Sequence, residues 1–284
     1  MAKRIGTEAE WRENFEAIKP LGEGGYGTVW LCRELSTKKL RAVKTVCDDK
    51  IRNRTWCDKR EDYLPNEIVL WENLNHPNIL SLVSVYFSDE LSLWYLVMEY
   101  YPGFVDLFSH IEYQEVIDDR EAANIIRQLV NAVYYLTLQN IDHRDLKDEN
   151  ILYNPTTQQI KLIDFGSSAE LTSEPYRMFR GTDTFIPPEY WEAGCYYPFH
   201  ASVWAIGCIA YGLLYGDSPF QTRDDVMRFL HLDCWEPASV DRTLRLNFLR
   251  DCLNGDCETR ILLSDLIHHP WLRSDQCARF RRKQ

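Results

Sequence analysis

The sequence predicts an α+β chain of two lobes, a small β-rich lobe followed by a larger helical one, with the break near residues 99–106. Two observations carry this. In the first third, short β-rich runs are separated by turn residues. Further on, Ala122, Ile125, Ile126, Leu129, Val130, Val133 and Leu136 fall at the spacing of one wide apolar stripe on a helix. A chain of 284 residues is also near the size at which one core divides into two.

The elements follow in order. Phe15 to Gly22, Thr28 to Arg33 and Leu40 to Val46 read as strands. Cys47 to Leu64 is polar and charged, which predicts a surface loop or short helix. Asn66 to Leu74 reads as a helix that ends at Asn75-His76-Pro77-Asn78. Leu93 to Met98 is a further strand. Beyond the stripe, helical patterns occupy 201–215, 222–232, 241–253 and 261–268. Residues 1–98 form the first lobe, 99–106 the connector and 107–284 the second lobe. About ten residues precede Trp11, and the basic tail Arg279 to Lys283 reads as a solvated end, alternatively as a localisation signal.

Composition narrows the function. Hydrophobic residues make up 45% and charged residues 26%, as in a soluble globular protein. Acidic residues outnumber basic ones by 43 to 32, for a net charge of −11, which disfavours nucleic acid as a partner and suits a basic peptide. The nine cysteines lack zinc-site spacing and read as free thiols in a reducing compartment. The N-terminus has no apolar signal region, and position 2 is Ala2 rather than a myristoylated glycine. The most apolar stretch, Val203 to Leu214, is shorter than the ~20 residues of a membrane helix and reads as buried. No membrane partner is expected.

Three groups of residues point to chemistry on a nucleotide. Gly22-Glu23-Gly24-Gly25-Tyr26-Gly27-Thr28-Val29 lies between two strands, the context of a hairpin over phosphates rather than of a dinucleotide fold. Glycines there let the backbone approach the phosphates. Lys44, on the strand Ala42-Val43-Lys44, can hold the α- and β-phosphates if a carboxylate positions it, and Glu67 on the next helix is the natural candidate. The third group is His143-Arg144-Asp145-Leu146-Lys147-Asp148-Glu149-Asn150, followed by Asp164-Phe165-Gly166. It supplies a base, a cation, an amide and a second carboxylate, the set that phosphoryl transfer needs. Asp145 would accept the hydroxyl proton and Lys147 would steady the γ-phosphate. Asn150 and Asp164 would bind Mg²⁺, which prefers hard oxygen ligands.

These motifs, in this order, resemble the protein kinases over about residues 12–275, with Pro187-Pro188-Glu189 in place of Ala-Pro-Glu and a late Arg260 that in the family pairs with Glu189. The resemblance implies the two-lobed kinase fold with ATP in the cleft and Mg²⁺ as cofactor. It implies a nucleotide site completed by Leu21, Ala42, Met98, Glu99, Tyr101, Asp106 and Leu152. Lys147 resembles the Ser/Thr branch and implies a non-specific serine/threonine protein kinase. A closer resemblance is to the Pim kinases. It rests on the connector Glu99 to Asp106, one residue longer than in most kinases, and on Lys147 to Asn150 followed by Lys161 to Gly166. It rests also on Pro-Pro-Glu followed by Tyr190, and on Ala201-Ser202-Val203-Trp204, where most kinases place an Asp at the position of Ser202. A PAS-domain kinase shares the connector insertion but implies an Asp at that position. A kinase-fold scaffold that acts by binding alone is the rival from another class.

Departures set further expectations. With Ser202 uncharged, the catalytic loop would be held less firmly. Where Pim kinases carry a connector proline stands Tyr101, so adenine would meet the Glu99 carbonyl and the Tyr101 amide. Where many kinases carry a phosphorylated Thr stands Met178, so Arg144 would turn to Glu174 or to no carboxylate. Activity would then need no phosphorylation of the activation segment. Asp106, Glu149 and Asp217, with Thr182 near the acceptor, would select protein substrates with Arg upstream of Ser or Thr, because carboxylates suit guanidinium groups. For Asp106, helix capping is the competing role. A cytoplasmic monomer, present in the nucleus as well if the tail is a signal, is expected.

Overall fold

The computed structural model describes residues 5–24, 27–51, 53–57, 61–113, 117–231 and 240–273. The chain forms two compact units, Met1–Gly103 and Phe104–Gln284.

The first unit is built on β1 (Ile5–Thr7), α1 (Glu8–Asn14), β2 (Phe15–Gly24), β3 (Gly27–Glu34), β4 (Leu40–Cys47), β5 (Arg54–Cys57), β6 (Asp62–Pro65), α2 (Asn66–Trp71), β7 (Leu82–Ser88) and β8 (Leu93–Glu99). Six strands make one sheet in the order β1-β7-β8-β4-β3-β2. All neighbours are antiparallel except β1 with β7. One face buries Phe15, Cys32, Val43, Tyr95 and Val97. Trp11 of α1 covers that cluster, stacked on Phe15 at 4.5 Å and on Tyr95 at 4.8 Å between ring centroids.

Ahead of β2, Thr7 and Glu10 close a capping box on α1: the Glu10 N–H donates to Thr7 Oγ1 at 3.3 Å and the Thr7 N–H to Glu10 Oε2 at 2.8 Å. Two expectations are corrected in this unit. The polar stretch 47–64 contains a short 3₁₀ turn, Asp48–Lys50, and the hairpin β5–β6. Trp56 and Tyr63 pair across that hairpin edge to face, 5.1 Å apart, the kind of aromatic pair that stabilises a two-stranded ribbon. Helix α2 stops at Trp71, short of Leu74, where the Leu74 N–H bonds the Trp71 carbonyl in a tighter turn.

The second unit contains β9 (Val105–Asp106), α3 (Leu107–Tyr113), α4 (Asp119–Leu138), β10 (Ile141–Asp142), β11 (Ile151–Asn154), β12 (Gln159–Leu162), β13 (Ala169–Glu170), α5 (Pro188–Ala193), α6 (Pro198–Tyr215), α7 (Arg223–His231), α8 (Val240–Cys252) and α9 (Leu263–Leu266). Asp118 caps α4 through the N–H groups of Arg120 and Glu121. All seven residues of the α4 stripe read from the sequence are buried. Two small sheets, β12-β11-β9 and β10-β13, carry the loops that follow.

Helix α6 starts earlier than the sequence pattern, at Pro198, since proline suits a first helical turn. Its 18 residues make it long and apolar enough to cross a membrane, yet Val203, Trp204, Ile206, Ile209 and Leu213 are buried inside the unit, as in a core helix. The 261–268 pattern yields only the short α9, flanked by i→i+3 bonds at Asp265 and His268. The basic tail lies outside the described residues.

Candidate active site

In the first unit, strand register gathers the nucleotide candidates. Val29 pairs with Lys44, Leu31 with Ala42, and Ala42 with Met98. Opposed and alternate residues share a face, so Val29, Ala42, Lys44 and Met98 lie on the face opposite the Val43–Val97 core. Lys44 Nζ donates to Glu67 Oε1 at 2.8 Å, and both side chains are nearly buried. The expected pair is therefore formed, with Glu67 in the first turn of α2.

The Gly-rich segment is the tip of the β2–β3 hairpin, with Gly22 opposite Val29, Glu23 opposite Thr28 and Gly24 opposite Gly27. Gly25 and Tyr26 lie outside the described residues. The glycines differ in what requires them. A Cβ on Gly27 would stand 1.8 Å from the Thr45 carbonyl oxygen, so packing alone demands glycine there. Around Gly22 nothing lies within 4 Å of such an atom. Leu21 is exposed beside it. At the other end of the sheet the Tyr101 hydroxyl donates to the Glu99 carboxylate, and burial followed by that carboxylate pushes the phenol far up.

In the second unit the catalytic candidates converge. Asn150 Nδ2 donates to the Asp145 carbonyl at 2.8 Å and to Asp145 Oδ2 at 3.0 Å. Thr182 Oγ1 approaches Asp145 Oδ1 at 3.3 Å, and Lys147 Nζ donates to Thr182 Oγ1 at 2.9 Å. Lys147 Nζ is also 3.8 Å from Asp145 Oδ2. The base is thus held from both sides with its cation beside it. Thr182, expected near the acceptor, binds catalytic groups directly.

The Asp164 segment is tied to this loop. The Ile163 N–H donates to the Asn150 carbonyl at 2.9 Å, and the His143 ring meets the Ile163 carbonyl at 3.0 Å through Nε2. Burial holds the His143 pKa down, so the ring is neutral and Nε2 carries the donated proton. Phe165 is fully buried, edge to face with His143. Asp164 has φ +63°, a left-handed conformation unusual outside glycine, and accepts the Gly166 N–H at 3.2 Å. The donor set fits Mg²⁺. Asn150 turns its amide nitrogen to Asp145, which leaves the amide oxygen as the ligand atom, and Asp164 adds carboxylate oxygen. Two hard oxygens suit an ion that completes its shell with phosphate and water.

Arg144 finds partners other than Glu174. Its guanidinium lies over the Tyr176 ring, 4.3 Å from the centroid, and Nη2 donates to the Met178 carbonyl at 3.1 Å. Tyr176, Phe179, Tyr190 and Tyr196 pack ring to ring at 5.4–5.7 Å. An unmodified aromatic cluster thus meets the arginine. Arg260 and Glu189 pair as expected, at 2.9 and 2.8 Å.

Uncharged Ser202 makes a hydrogen bond to the catalytic-loop side. A carboxylate is present, but it comes from the loop side. Ser202 Oγ meets Asp142 Oδ1 at 3.4 Å, and both residues are buried.

The acidic candidates differ among themselves. Both Asp106 oxygens bind Ser109, the N–H at 2.7 Å and the hydroxyl at 2.9 Å, which is the capping role. Glu149 and Asp217 are exposed. Leu152 pairs with Asp106 across β11–β9. Sequence reasoning missed Asp142 and the place of Tyr176 beside Arg144. An aspartate immediately before the catalytic motif was the available signal for the first; no sequence pattern marks the second.

Comparison with known proteins agrees with this geometry. Residues 15–272 match the protein kinase domain. The chain is 33% identical to the PAS domain-containing serine/threonine-protein kinase of Mus musculus, over 93% of the chain and 19% of that protein. It is 31% identical to Aurora kinase A-A of Xenopus laevis, over 95% of the chain and 65% of that protein. It is 29% identical to the serine/threonine-protein kinase pim-2 of Danio rerio, over 89% and 82% respectively. The chain thus spans about a fifth of the first of these relatives and about two thirds of the second. With a catalytic loop and Asp-Phe-Gly segment joined as described and a match across nearly its whole length, the chain belongs to the protein kinase family, among serine/threonine protein kinases.

Proposed function

We propose that the chain transfers the γ-phosphoryl group of ATP to Ser or Thr of proteins that carry arginines upstream of the acceptor, in the manner of Pim kinases. The observation that carries this is the Asp145 carboxylate held between Asn150 and Thr182 with Lys147 alongside. Asp145 takes the hydroxyl proton as the oxygen attacks, and Lys147 balances charge on the transferred group. Asn150 and Asp164 would hold Mg²⁺, which would neutralise phosphate charge. In the first unit, Lys44 fixed by Glu67 is the candidate for nucleotide phosphates, and Glu99 and Tyr101 are the candidates for adenine.

The Pim-type reading rests on Ser202 and the long connector, since overall identity to the PAS-domain, Aurora and Pim relatives is nearly equal at 33, 31 and 29%. Exposed Glu149 and Asp217 support a preference for arginine. The aromatic seat of Arg144 supports activity without phosphorylation of the activation segment. We place the protein in the cytoplasm, acting as a monomer.

A positional peptide library tests the substrate reading: selection of Arg upstream of Ser/Thr is expected, and no basic preference contradicts it. Phosphatase-treated protein is expected to keep its activity. Loss of activity after that treatment contradicts the phosphate-free seat.

A further inference from the structure

We infer that Asp142 is a positioning residue for phosphoryl transfer, the carboxylate that fastens the catalytic loop to α6 and holds Arg144 against the activation segment. The inference rests on the kinase reading above but assigns a role to a residue outside the motifs that led to it.

Asp142 is the last residue of β10 and only 5% exposed. A carboxylate so placed needs partners, because an unpaired buried charge is costly. Four groups face it. The Ser202 hydroxyl reaches Oδ1 from α6 at 3.4 Å. Arg144 lines the same small cavity as Asp142 and Ser202, and its guanidinium and the backbone N–H groups of His143 and Arg144 favour the charged carboxylate against its burial. Arg144 adopts φ +67°, a left-handed conformation that a non-glycine residue keeps only where its surroundings enforce it. The Arg144 side chain, drawn by Asp142 and seated on the Tyr176 ring and the Met178 carbonyl, is such an enforcement.

The same arrangement reaches the activation segment. Arg144 has Asp142 on one side and the Tyr176 ring on the other, 4.3 Å from its charge. Tyr176 is anchored by two backbone bonds to Tyr196, at 2.8 and 3.0 Å. Asp142, Arg144 and Tyr176 thus form one continuous contact from α6 to the segment that carries Thr182. Thr182 in turn binds Asp145 and Lys147.

Geometry also indicates how the role can be moved. Ser202 and Asp142 direct their oxygens into one small space, so the substitution Ser202→Asp would bring a second carboxylate to the same N–H groups. With Asp142 present, two buried carboxylates would repel. With Asp142 neutralised, the carboxylate introduced on α6 would stand in for it.

The test compares wild type, Asp142→Asn, Ser202→Asp and the double variant on a Ser peptide with Mg-ATP, reading kcat and KM separately and the melting temperature of each. Asp142→Asn is expected to lower kcat about 10- to 100-fold with KM for ATP nearly unchanged. Ser202→Asp alone is also expected to lose activity. The double variant is expected to return within about threefold of wild type, a rescue that a generic packing defect would not give. If Asp142→Asn keeps full kcat, or if the folded double variant is no better than the single ones, the inference is wrong. Should Asp142→Asn fail to fold, the double variant and Ser202→Asp carry the test alone, and a double variant that folds and turns over supports it. Wild type without any transfer would instead overturn the kinase reading.

Discussion

Removing either partner of the Arg260–Glu189 pair should destabilise the second unit severely. The Arg260 side chain is fully buried and forms four bonds: two to the Glu189 carboxylate at 2.9 and 2.8 Å, one to the His200 carbonyl at 2.9 Å and one from Nε to the Asn254 carbonyl at 2.9 Å. Its charge also stands 5.0 Å from the Trp204 ring centroid. Glu189→Gln keeps the volume but strands a buried guanidinium and turns an amide N–H toward a donor. Breaking a buried pair from one side costs about 3–5 kcal/mol. Arg260→Met leaves the nearly buried Glu189 carboxylate without its countercharge and the His200 and Asn254 carbonyls without donors, so its loss should be of similar size. At about 2–4 °C per kcal/mol for a unit of this size, either change should lower the melting temperature by about 6–20 °C. Thermal unfolding followed by intrinsic fluorescence measures this, since Trp204 and Trp271 are buried in the unit. A shift below about 2 °C would show that the pair is not the tie it is taken to be.

Two further outcomes follow from particular groups. Glu67→Gln keeps a hydrogen-bond acceptor for Lys44 but removes its countercharge, so kcat/KM should fall about 10-fold or more; steady-state kinetics with ATP varied would show it. Burial raises the Asp142 pKa from 3.8 to about 7 in the folded protein, against the pull of Arg144 and the bond from Ser202, with Tyr176 and Tyr196 also facing it. Because the folded state binds this proton more tightly than the unfolded chain, the contribution to stability is full below pH 3.8 and is lost as pH rises toward 7, on the order of 4 kcal/mol. Asp148 is likewise raised to about 7, so the difference in melting temperature between wild type and Asp142→Asn, followed from pH 4 to 8, isolates Asp142. Wild type should lose stability relative to the variant across that range, and a constant difference would contradict the shift.

The catalytic groups were legible because their chemistry fixes both residue type and spacing. Lys44 meets Glu67 in the first unit, and Asp145 meets Asn150 in the second, as their order in the chain implied. The helix α4 was legible because a long stripe at one period has a single reading. Short polar elements were not. The β5–β6 hairpin depends on Trp56 meeting Tyr63 across strands, a contact that no local pattern announces. The N-terminal helix carried its signal openly in Thr7-Glu8-Ala9-Glu10, yet its reason for staying folded is Trp11 on Phe15 and Tyr95, a tertiary contact. At Ser202 a residue type was taken for the loss of a charge. Asp142, sixty positions earlier in the chain, sets a carboxyl group against Ser202 from the opposite side, and only the fold brings the two together.

The most direct measurement is transfer of labelled phosphate from Mg-ATP to a Ser peptide by the purified chain, beside Asp145→Asn. Asp145 is the group around which Asn150, Thr182 and Lys147 are arranged. Transfer by the wild type, at least about 100-fold faster than by a variant that still binds nucleotide, is the expected result. Equal rates for the two proteins, or no transfer by wild type that binds Mg-ATP, would contradict the assignment of Asp145 as the base.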